Sequence, residues 1–267
     1  MEQMMDMIVG EAALNRVAPL FANWEDTLIW TALQGMMGRV WTAGAYDGNQ
    51  PKVACCQTGD FVFPAGDASC PEAEMLLKSL RTHLGDRFAI LTPQNDAWSE
   101  QIRQVFGDQV KAGERYAICK DAHAFDRVHL SSLAETLPAG VTLVPIAGKV
   151  YDQVMAEGWS CDFCSQFDGK EDFANRGLGI AALYQEQVIG GASSYIRYRE
   201  GIEIEVDTRA DWRRRGIATA CCARLILTCL ERGWYPSWDA ANRESVALAE
   251  KLGYREKGAY PVWFVNS

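Results

Sequence analysis

The stretch Ile202-Glu-Ile-Glu-Val-Asp-Thr-Arg-Ala-Asp-Trp-Arg-Arg-Arg-Gly-Ile-Ala-Thr219 decides the fold of this chain. Its first part alternates apolar and acidic residues, which is the period of a half-buried β-strand. The segment that follows, Ile217 to Leu230, is apolar almost all round and predicts a buried helix. A strand therefore runs through an arginine-rich turn straight into a helix.

The turn Arg213-x-x-Gly216-x-Ala218 has the properties of a phosphate-binding loop. Glycine lets the backbone approach a ligand closely. The first turn of a helix offers unpaired N–H groups at the positive end of the helix dipole. The three consecutive arginines add positive charge where phosphates would lie. Such a pattern is short and occurs in ordinary solvated turns, so its context has to support it.

A second helix downstream supplies that context. The segment Asp239-Ala-Ala-Asn242-Arg-Glu-Ser-Val-Ala-Leu-Ala-Glu-Lys-Leu-Gly253-Tyr254 follows a short predicted strand, Tyr235-Pro-Ser-Trp238. Val246 and Leu252 lie on one helical stripe, and Gly253 is typical of a helix end. The chain thus combines a strand, a glycine turn, a helix, a strand and an Asn-led helix.

These two linked motifs resemble the GNAT superfamily of acyl-CoA-dependent N-acetyltransferases, in which the first motif is followed by an Asn-led helix that ends in Leu-Gly-aromatic. The resemblance runs from near Val141 to the end of the chain. The wording Ile-Glu-Ile-Glu-Val-Asp-Thr and Ala-Glu-Lys-Leu-Gly-Tyr is most similar to the group that contains the zwittermicin A resistance acetyltransferases. The resemblance implies an α/β fold with a mixed sheet (α+β) and acetyl-CoA as the acyl donor.

The resemblance also implies roles for individual residues. The backbone of Ile204, Glu205 and Val206 would pair with the pantetheine arm as one more strand. A strand N–H near Val206 would polarise the thioester oxygen. Asn242 matches the family's cofactor-contacting Asn and would equally serve as a helix N-cap. The cofactor's pyrophosphate would be held by residues of the turn and of the first helical turn, namely Arg213, Arg214, Arg215, Gly216, Ile217, Ala218 and Thr219.

Acetyl transfer to an amine requires a base, because the acceptor is protonated at neutral pH. Glu203 and Glu205 lie on the strand beside the expected thioester and are the candidate catalytic residues; the alternative is that both are solvent-facing strand carboxylates. Where the family often has a tyrosine that protonates the departing thiolate, this chain has Ala249. Ser245 and Tyr254 are the nearest replacements in sequence, and a thiolate can also leave into solvent.

Composition limits the remaining possibilities. A chain of 267 residues that is 48% apolar can bury a large core, most simply in two domains. Its net charge of −9 argues against nucleic acid and membranes as partners and fits a cationic small-molecule amine. With neither a signal peptide nor a bilayer-spanning apolar run, a cytoplasmic location is expected. Nine cysteines, an odd number, predict free thiols, and Cys161-x-x-Cys164 lacks the second pair that a metal site needs.

The N-terminal half repeats the order of elements predicted from Gly177 to Val265, and Asn95–Gly107 echoes Asn242–Gly253. Proline and glycine in Leu137-Pro-Ala-Gly140 mark a boundary. The predicted domains are residues 1–137, a degenerate GNAT-like or lid domain without a phosphate loop, and residues 141–267, the acetyltransferase domain. The elements predicted in the first domain are helices at 1–24, 26–37, 71–84 and 97–106 and strands at 39–43, 52–56, 60–63, 87–91 and 110–119.

Val150–Glu157 and Cys161–Phe167 are predicted as two short helices, and the resemblance to the GNAT superfamily implies that they lie over the acceptor groove. Asp162, Phe163 and Phe167 would contact the substrate there, or the aromatic rings would be core. Residues 193–196 and Trp238 could line the substrate channel, or equally be core residues.

The sequence therefore predicts an enzyme that transfers an acetyl or short acyl group from acetyl-CoA to a primary amine of a small molecule. Attack is expected to be direct, within a ternary complex, because no cysteine occupies a recognisable nucleophile position. Two alternatives remain open: a non-catalytic acyl-CoA-binding sensor module, and an N-acetyltransferase that acts on protein termini or lysines. The acceptor, the acyl length and the oligomeric state are not fixed by the sequence.

Overall fold

The computed structural model describes residues 5–44 and 50–267. Within these residues the chain forms two compact units. Unit 1 is drawn from Met1–Arg115 and Ala259–Ser267, and unit 2 is Tyr116–Gly258. The predicted domain boundary at residues 137–141 stays a prediction; those residues lie inside unit 2, which the chain enters at Tyr116.

Unit 1 begins with short elements and continues as alternating strands and helices. Its elements are β1 (Asp6–Ile8), α1 (Glu11–Val17), α2 (Thr27–Leu33), β2 (Arg39–Thr42), β3 (Val53–Thr58), β4 (Phe61–Gly66), α3 (Pro71–Leu84), β5 (Ala89–Leu91), α4 (Asp96–Phe106) and β6 (Val110–Ile118), whose last residues belong to unit 2.

Unit 2 contains the strand, arginine-rich turn and helix of the segment that begins at Ile202. Its elements are α5 (Arg127–Glu135), β7 (Val141–Pro145), α6 (Gly148–Ala156), α7 (Lys170–Arg176), β8 (Gly179–Tyr184), β9 (Gln187–Tyr198), β10 (Gly201–Thr208), α8 (Ile217–Glu231), β11 (Tyr235–Ser237), β12 (Asp239–Ala240), α9 (Arg243–Lys251) and β13 (Glu256–Val265), whose last residues belong to unit 1.

The predicted first helix is the main error in the N-terminal half. The segment 1–24 instead contains strand β1, a turn at Gly10 with φ of 85°, helix α1 and a 3-10 turn at Ala18–Phe21. Residues 1–4 lie outside the described residues. Helical apolar spacing cannot distinguish one helix from two short elements joined by a glycine in a left-handed conformation.

The sheet of unit 1 contains a strand from the far end of the chain. Its strand order is β1-β2-β3-β4-β5-β13-β6, and β13 pairs antiparallel with β5. β4 and β5 are parallel. Helices α3 and α4 contribute Leu76, Leu80 and Ile102 to the core on this sheet.

Unit 2 has a five-stranded sheet in the order β11-β10-β9-β8-β7. β10 is antiparallel to β9 and parallel to β11. Ile202 and Ile204 pack in one core with Cys221, Cys222 and Leu225 of α8. The cysteines of this helix are thus small core residues, and burial raises the pKa of the Cys221 thiol to about 12.

Each unit has a helix with an asparagine N-cap of the same geometry. Asn95 caps α4 and accepts a hydrogen bond from the Trp98 N–H at 3.1 Å. Asn242 caps α9 in the same extended conformation and accepts from the Ser245 N–H at 2.9 Å. The predicted echo of the two segments is therefore present in the capping geometry.

Candidate active site

A cleft opens in unit 2 where β10 and β11 separate. The parallel pairing covers only Gly201–Glu203 of β10, opposite Tyr235–Ser237. Strand β10 continues to Thr208 and stays paired with β9 on its other side. The β11-facing backbone of the last residues of β10 is therefore available to an extended ligand.

Two amides on this edge are held by neighbouring carboxylates. The Val206 N–H donates to Glu205 Oε1 at 3.1 Å, and the Thr208 N–H donates to Asp207 Oδ1 at 2.6 Å. Residues two apart on a strand point their N–H groups the same way, so both donors face the open edge. A side-chain carboxylate that bonds to its neighbour's N–H can rotate away, which leaves the Val206 N–H for a thioester oxygen.

The N-terminus of α8 has donors without helical acceptors. The first bond of the helix joins the Ala220 N–H to the Gly216 carbonyl at 3.0 Å. No side chain caps this end, and the first turn carries no acidic residue. The N–H groups of Ile217, Ala218 and Thr219 therefore point out of the helix at the positive end of its dipole.

Gly216 gives a ligand room to reach these donors. Its φ is 83°, in the left-handed region that favours glycine. A Cβ atom placed on it would meet only the Thr136 carbonyl oxygen, at 3.9 Å, and would otherwise project into open space. The residues present thus fit the pyrophosphate that the sequence predicts.

The three arginines of the turn have different surroundings. Arg213 ties the turn to β10, because its Nε donates to the Thr208 carbonyl at 3.0 Å and its Nη2 lies 3.3 Å from Asp207 Oδ1. Arg215 stacks over the Trp212 ring at 4.8 Å. Arg214 has a positive φ of 59°. Their predicted roles in cofactor binding stay predictions, and Arg213 has in addition a bracing role.

The two candidate bases lie on the face of the sheet opposite α8. Glu203 is 6% exposed, so it is not the solvent-facing carboxylate of the alternative interpretation, whereas Glu205 is half-buried and stays partly accessible. The 3-10 turn Cys161–Phe163 covers this face, and the Phe163 carbonyl accepts a bond of 2.6 Å from Ser193, the partner of Glu205 in register.

The two candidate acids, Ser245 and Tyr254, already form hydrogen bonds within the protein, and the position of the family's tyrosine is a buried alanine. Ala249 is fully buried in the core of unit 2. Ser245 Oγ accepts a hydrogen bond from Trp238 Nε1 at 3.1 Å. The Tyr254 hydroxyl donates to the Pro236 carbonyl at 2.7 Å, and burial raises its pKa well above the usual range. A phenol in that state is a poor proton donor.

The acceptor-side elements differ in part from the prediction. The helix predicted at 161–167 is wrong, because only the 3-10 turn forms there; α7 (Lys170–Arg176), which was not predicted, follows it. Phe163 and Phe167 are buried at 1% and 6% exposure, as core rings would be. Asp162 accepts a bond from Ser165 at 3.1 Å.

The Cys161-x-x-Cys164 pair has one carboxylate beside it, because Cys161 Sγ donates to Asp162 Oδ1 at 3.9 Å. Cys164 is buried, and burial raises the pKa of its thiol to about 12. Across residues 5–44 and 50–267, no group of three or more His, Cys, Asp or Glu side chains is placed to hold a metal ion.

In the same part of the chain, no helix combines the length and apolar character needed to cross a bilayer.

The corresponding edge in unit 1 is closed. Phe61 pairs with Ile90, five residues before Asn95, just as Glu203 pairs with Ser237, five residues before Asn242. The equivalents of Val206 and Thr208 are therefore Pro64 and Gly66. Pro64 has no N–H to offer a thioester.

Side chains occupy the rest of that edge. The Gly66 N–H donates to Gln94 Oε1 at 3.1 Å, and the Gly66 carbonyl accepts from Trp98 Nε1 at 3.0 Å. Helix α3 begins with Pro71 and carries Glu72 and Glu74 in its first turn, which repel phosphate. This geometry supports the prediction that the N-terminal half lacks a phosphate site.

We expect Trp98→Ala to destabilise unit 1 strongly. Trp98 is fully buried in its core, and truncation of a buried tryptophan costs about 3–5 kcal/mol. Trp98→Phe keeps most of the volume and loses only the bond to Gly66, so a smaller loss of about 1–2 kcal/mol is expected. Urea unfolding followed by circular dichroism measures both; equal losses for the two variants would contradict this account.

Comparisons with known proteins agree on one family of sequences. A family model described as GNAT acetyltransferase matches residues 18–263. The uncharacterized N-acetyltransferase YdfB of Bacillus subtilis (strain 168) is 26% identical over 180 residues, which span 67% of this chain and 66%, just under two thirds, of that relative.

Solved structures give the same result over a longer span. The crystal structure of a GCN5-related N-acetyltransferase-like protein from Streptococcus suis 89/1591 is 43% identical and has a TM-score of 0.84 over 94% of this chain and 97% of that one. A tandem GNAT protein from the clavulanic acid biosynthesis pathway, 11% identical, has a TM-score of 0.61 over 98% of both chains, which is a likeness of fold alone.

Proposed function

Because the chain belongs to the GNAT acetyltransferase family, we propose that it transfers an acetyl or other short acyl group from a coenzyme A thioester to a primary amine of a small molecule. The observation that carries the proposal is the uncapped N-terminus of α8 directly beside the open edge of β10. One feature offers donors for a diphosphate and the other offers donors for an extended chain.

The roles of the backbone follow from this arrangement. The N–H groups from Arg214 to Thr219 bind the pyrophosphate, with the Thr219 hydroxyl as a further donor. The backbone of Ile204–Val206 aligns the pantetheine arm. The Val206 N–H, released from Glu205, polarises the thioester carbonyl. Asn242 caps α9 at the side of the cleft.

The acceptor is proposed to be a cationic amine. Glu203 and Glu205 place two carboxylates on the face of β10 away from α8, and the chain has a net charge of −9. Carboxylates attract an ammonium group and can remove its proton. A closer kinship with the zwittermicin A resistance acetyltransferases, and a cytoplasmic location, belong to the same proposal.

The proposal is tested by release of free thiol from acetyl-CoA. Purified protein is mixed with acetyl-CoA and, in turn, putrescine, glucosamine, lysine and a peptide with a free N-terminus, and the thiol is detected with a chromogenic disulfide. Amine-dependent release from one of the small molecules is expected. Release with the peptide alone would favour a protein N-acetyltransferase.

A non-catalytic acyl-CoA-binding module is the second candidate. It is favoured by the burial of Ala249 in the core and by the engaged hydroxyl of Tyr254, which leave no evident side-chain acid in the part of the chain that the structure describes. Binding of acetyl-CoA without thiol release for any amine would select this alternative.

We expect one molecule of coenzyme A per chain. Among residues 5–44 and 50–267, only those of unit 2 combine an uncapped, acid-free helix terminus with an open strand edge, whereas unit 1 has Pro64 and the side chains of Gln94 and Trp98 at that place. Isothermal titration calorimetry measures the stoichiometry. A value near two would overturn the closed-edge account of unit 1.

A further inference from the structure

Ser237 lies at the closed end of the cleft. It is the last residue of β11, and its partner in register is Glu203, the last residue of β10 that β11 pairs. Side chains of registered residues on neighbouring strands lie on the same face of a sheet. The side chains of Ser237 and Glu203 therefore project from the same face where the two strands begin to separate, although no hydrogen bond joins them in this structure.

The hydroxyl of Ser237 is an exception among the buried serines of unit 2. Ser160, Ser193 and Ser194 each form a hydrogen bond with backbone, to the Val154 and Phe163 carbonyls and from the Leu178 N–H. Ser237 is only 1% exposed, yet its Oγ has no hydrogen-bond partner among the described residues. An unsatisfied buried hydroxyl lowers stability, so its presence here calls for a functional reason.

The other hydroxyls near Glu203 are bound to backbone. Tyr198 donates to the Tyr235 carbonyl at 3.3 Å, and Tyr235 accepts from the Asp121 N–H at 3.0 Å. Tyr254 donates to the Pro236 carbonyl. Each of these three phenols, from β9, β11 and the segment after α9, interacts electrostatically with Glu203; burial raises the pKa of Tyr235 to about 12. The Ser237 oxygen is thus available to accept a hydrogen bond from a ligand.

We propose that Ser237 relays a proton from the acceptor ammonium to Glu203. This inference rests on the acyl transfer proposed above. No hydrogen bond joins the two groups in this structure, so the step requires that the Ser237 hydroxyl turns to donate to Glu203 when the ammonium binds. The Ser237 oxygen then takes one proton from the ammonium nitrogen as its own proton passes to the Glu203 carboxylate. The neutral amine then attacks the thioester carbonyl carbon with its lone pair, and the carbon–sulfur bond breaks with its electrons on sulfur.

The remaining protons balance without a side-chain acid. The amine nitrogen, positively charged after attack, gives its second proton to the departing thiolate, which yields the amide and free coenzyme A. Glu203 returns its proton to solvent. This route is compatible with Ala249 at the position where the family often has tyrosine, because the nucleophile itself protonates the sulfur.

The test compares Ser237→Ala, Glu203→Gln and the double variant, with the amine that gives the fastest thiol release in the wild type. Thr92→Val is the matched control, because Thr92 is another buried hydroxyl, 3% exposed, without a partner among the described residues, and unlike Ser237 it lies in unit 1. Binding of acetyl-CoA is measured by calorimetry and Tm by differential scanning calorimetry.

We expect Ser237→Ala to lower kcat about a hundredfold at pH 7, at the low end of the range for general-base catalysis. The affinity for acetyl-CoA and the Tm should not fall, since the lost hydroxyl holds no protein group. Near pH 10, where an alkyl amine with a pKa of about 10.4 is partly neutral, the difference should shrink to a few fold. The double variant should be no more than about threefold slower than the slower single variant.

The outcomes separate the relay from the activity. A fall in Tm with unchanged kcat for Ser237→Ala, or additive losses in the double variant, would overturn the relay while leaving acyl transfer intact. A loss of turnover in Thr92→Val as large as that in Ser237→Ala would also overturn it. A wild type that neither binds acetyl-CoA nor releases thiol would overturn the acyl transfer, and the relay with it.

Discussion

Gly216→Val is expected to weaken acetyl-CoA binding by about 10²- to 10⁴-fold while the protein stays folded. Valine places a branched side chain in the open space in front of the first turn of α8, where Gly216 has no Cβ. A diphosphate kept away from two N–H donors loses two charge-assisted hydrogen bonds of about 1.5–3 kcal/mol each, which corresponds to this range. Isothermal titration calorimetry with acetyl-CoA measures the loss.

Two further variants separate the steric effect from backbone strain. Any side chain at a φ of 83° is strained, but asparagine tolerates the left-handed region best. Gly216→Asn should therefore bind poorly with little loss of Tm. Gly233 is a matched control, because it follows the other end of α8 with φ of 68° and has open space around its Cβ position. Gly233→Asn should bind acetyl-CoA normally; full affinity in both Gly216 variants would refute the phosphate site.

The C-terminal half was predictable because its signals are local. The alternation from Ile202 to Thr208, the glycine at 216 and the Asn cap at 242 each act within a few residues, and each has its expected conformation in the structure. The α/β fold with a GNAT-like architecture in both halves is confirmed by the structural neighbours.

The features of the structure that could not be predicted from the sequence depend on contacts between residues far apart in the chain. The place of β13 between β5 and β6 joins segments more than a hundred residues apart, which periodicity does not encode. The closed edge of unit 1 depends on Gln94, whose amide nitrogen reaches the Leu20 carbonyl, 74 residues earlier. The absent phosphate loop was visible in the sequence, whereas the side chains that fill the strand edge were not.

The role proposed for Ser237 could not be predicted from the sequence. It lies within the predicted strand Tyr235–Trp238, but its neighbourhood with Glu203 depends on the register of two parallel strands. The lack of a partner for its hydroxyl is a property of the packed structure. The sequence signal that was present, a serine inside an otherwise apolar and aromatic strand, is too common to indicate a site.

Separate replacement of the two candidate bases should give unequal losses. Glu203→Gln is expected to lower kcat by about 10²- to 10⁴-fold at neutral pH, the range for removal of a general base. Glu205→Gln should have a small effect, because its carboxylate bonds to the Val206 N–H and must leave that place when the thioester binds. Both substitutions keep the side-chain shape, so circular dichroism should show the wild-type fold.

The pH dependence gives the sign of the Glu203 effect. At neutral pH the acceptor amine is protonated and needs a base, whereas above its pKa of about 10.4 it is already nucleophilic. The loss in Glu203→Gln should therefore be largest at neutral pH and should diminish as pH rises, while the affinity for acetyl-CoA stays constant. A uniform loss at every pH would indicate a role in positioning. If neither variant changes the rate, the base lies elsewhere, and the buried carboxylate at 203 serves the packing of the cleft.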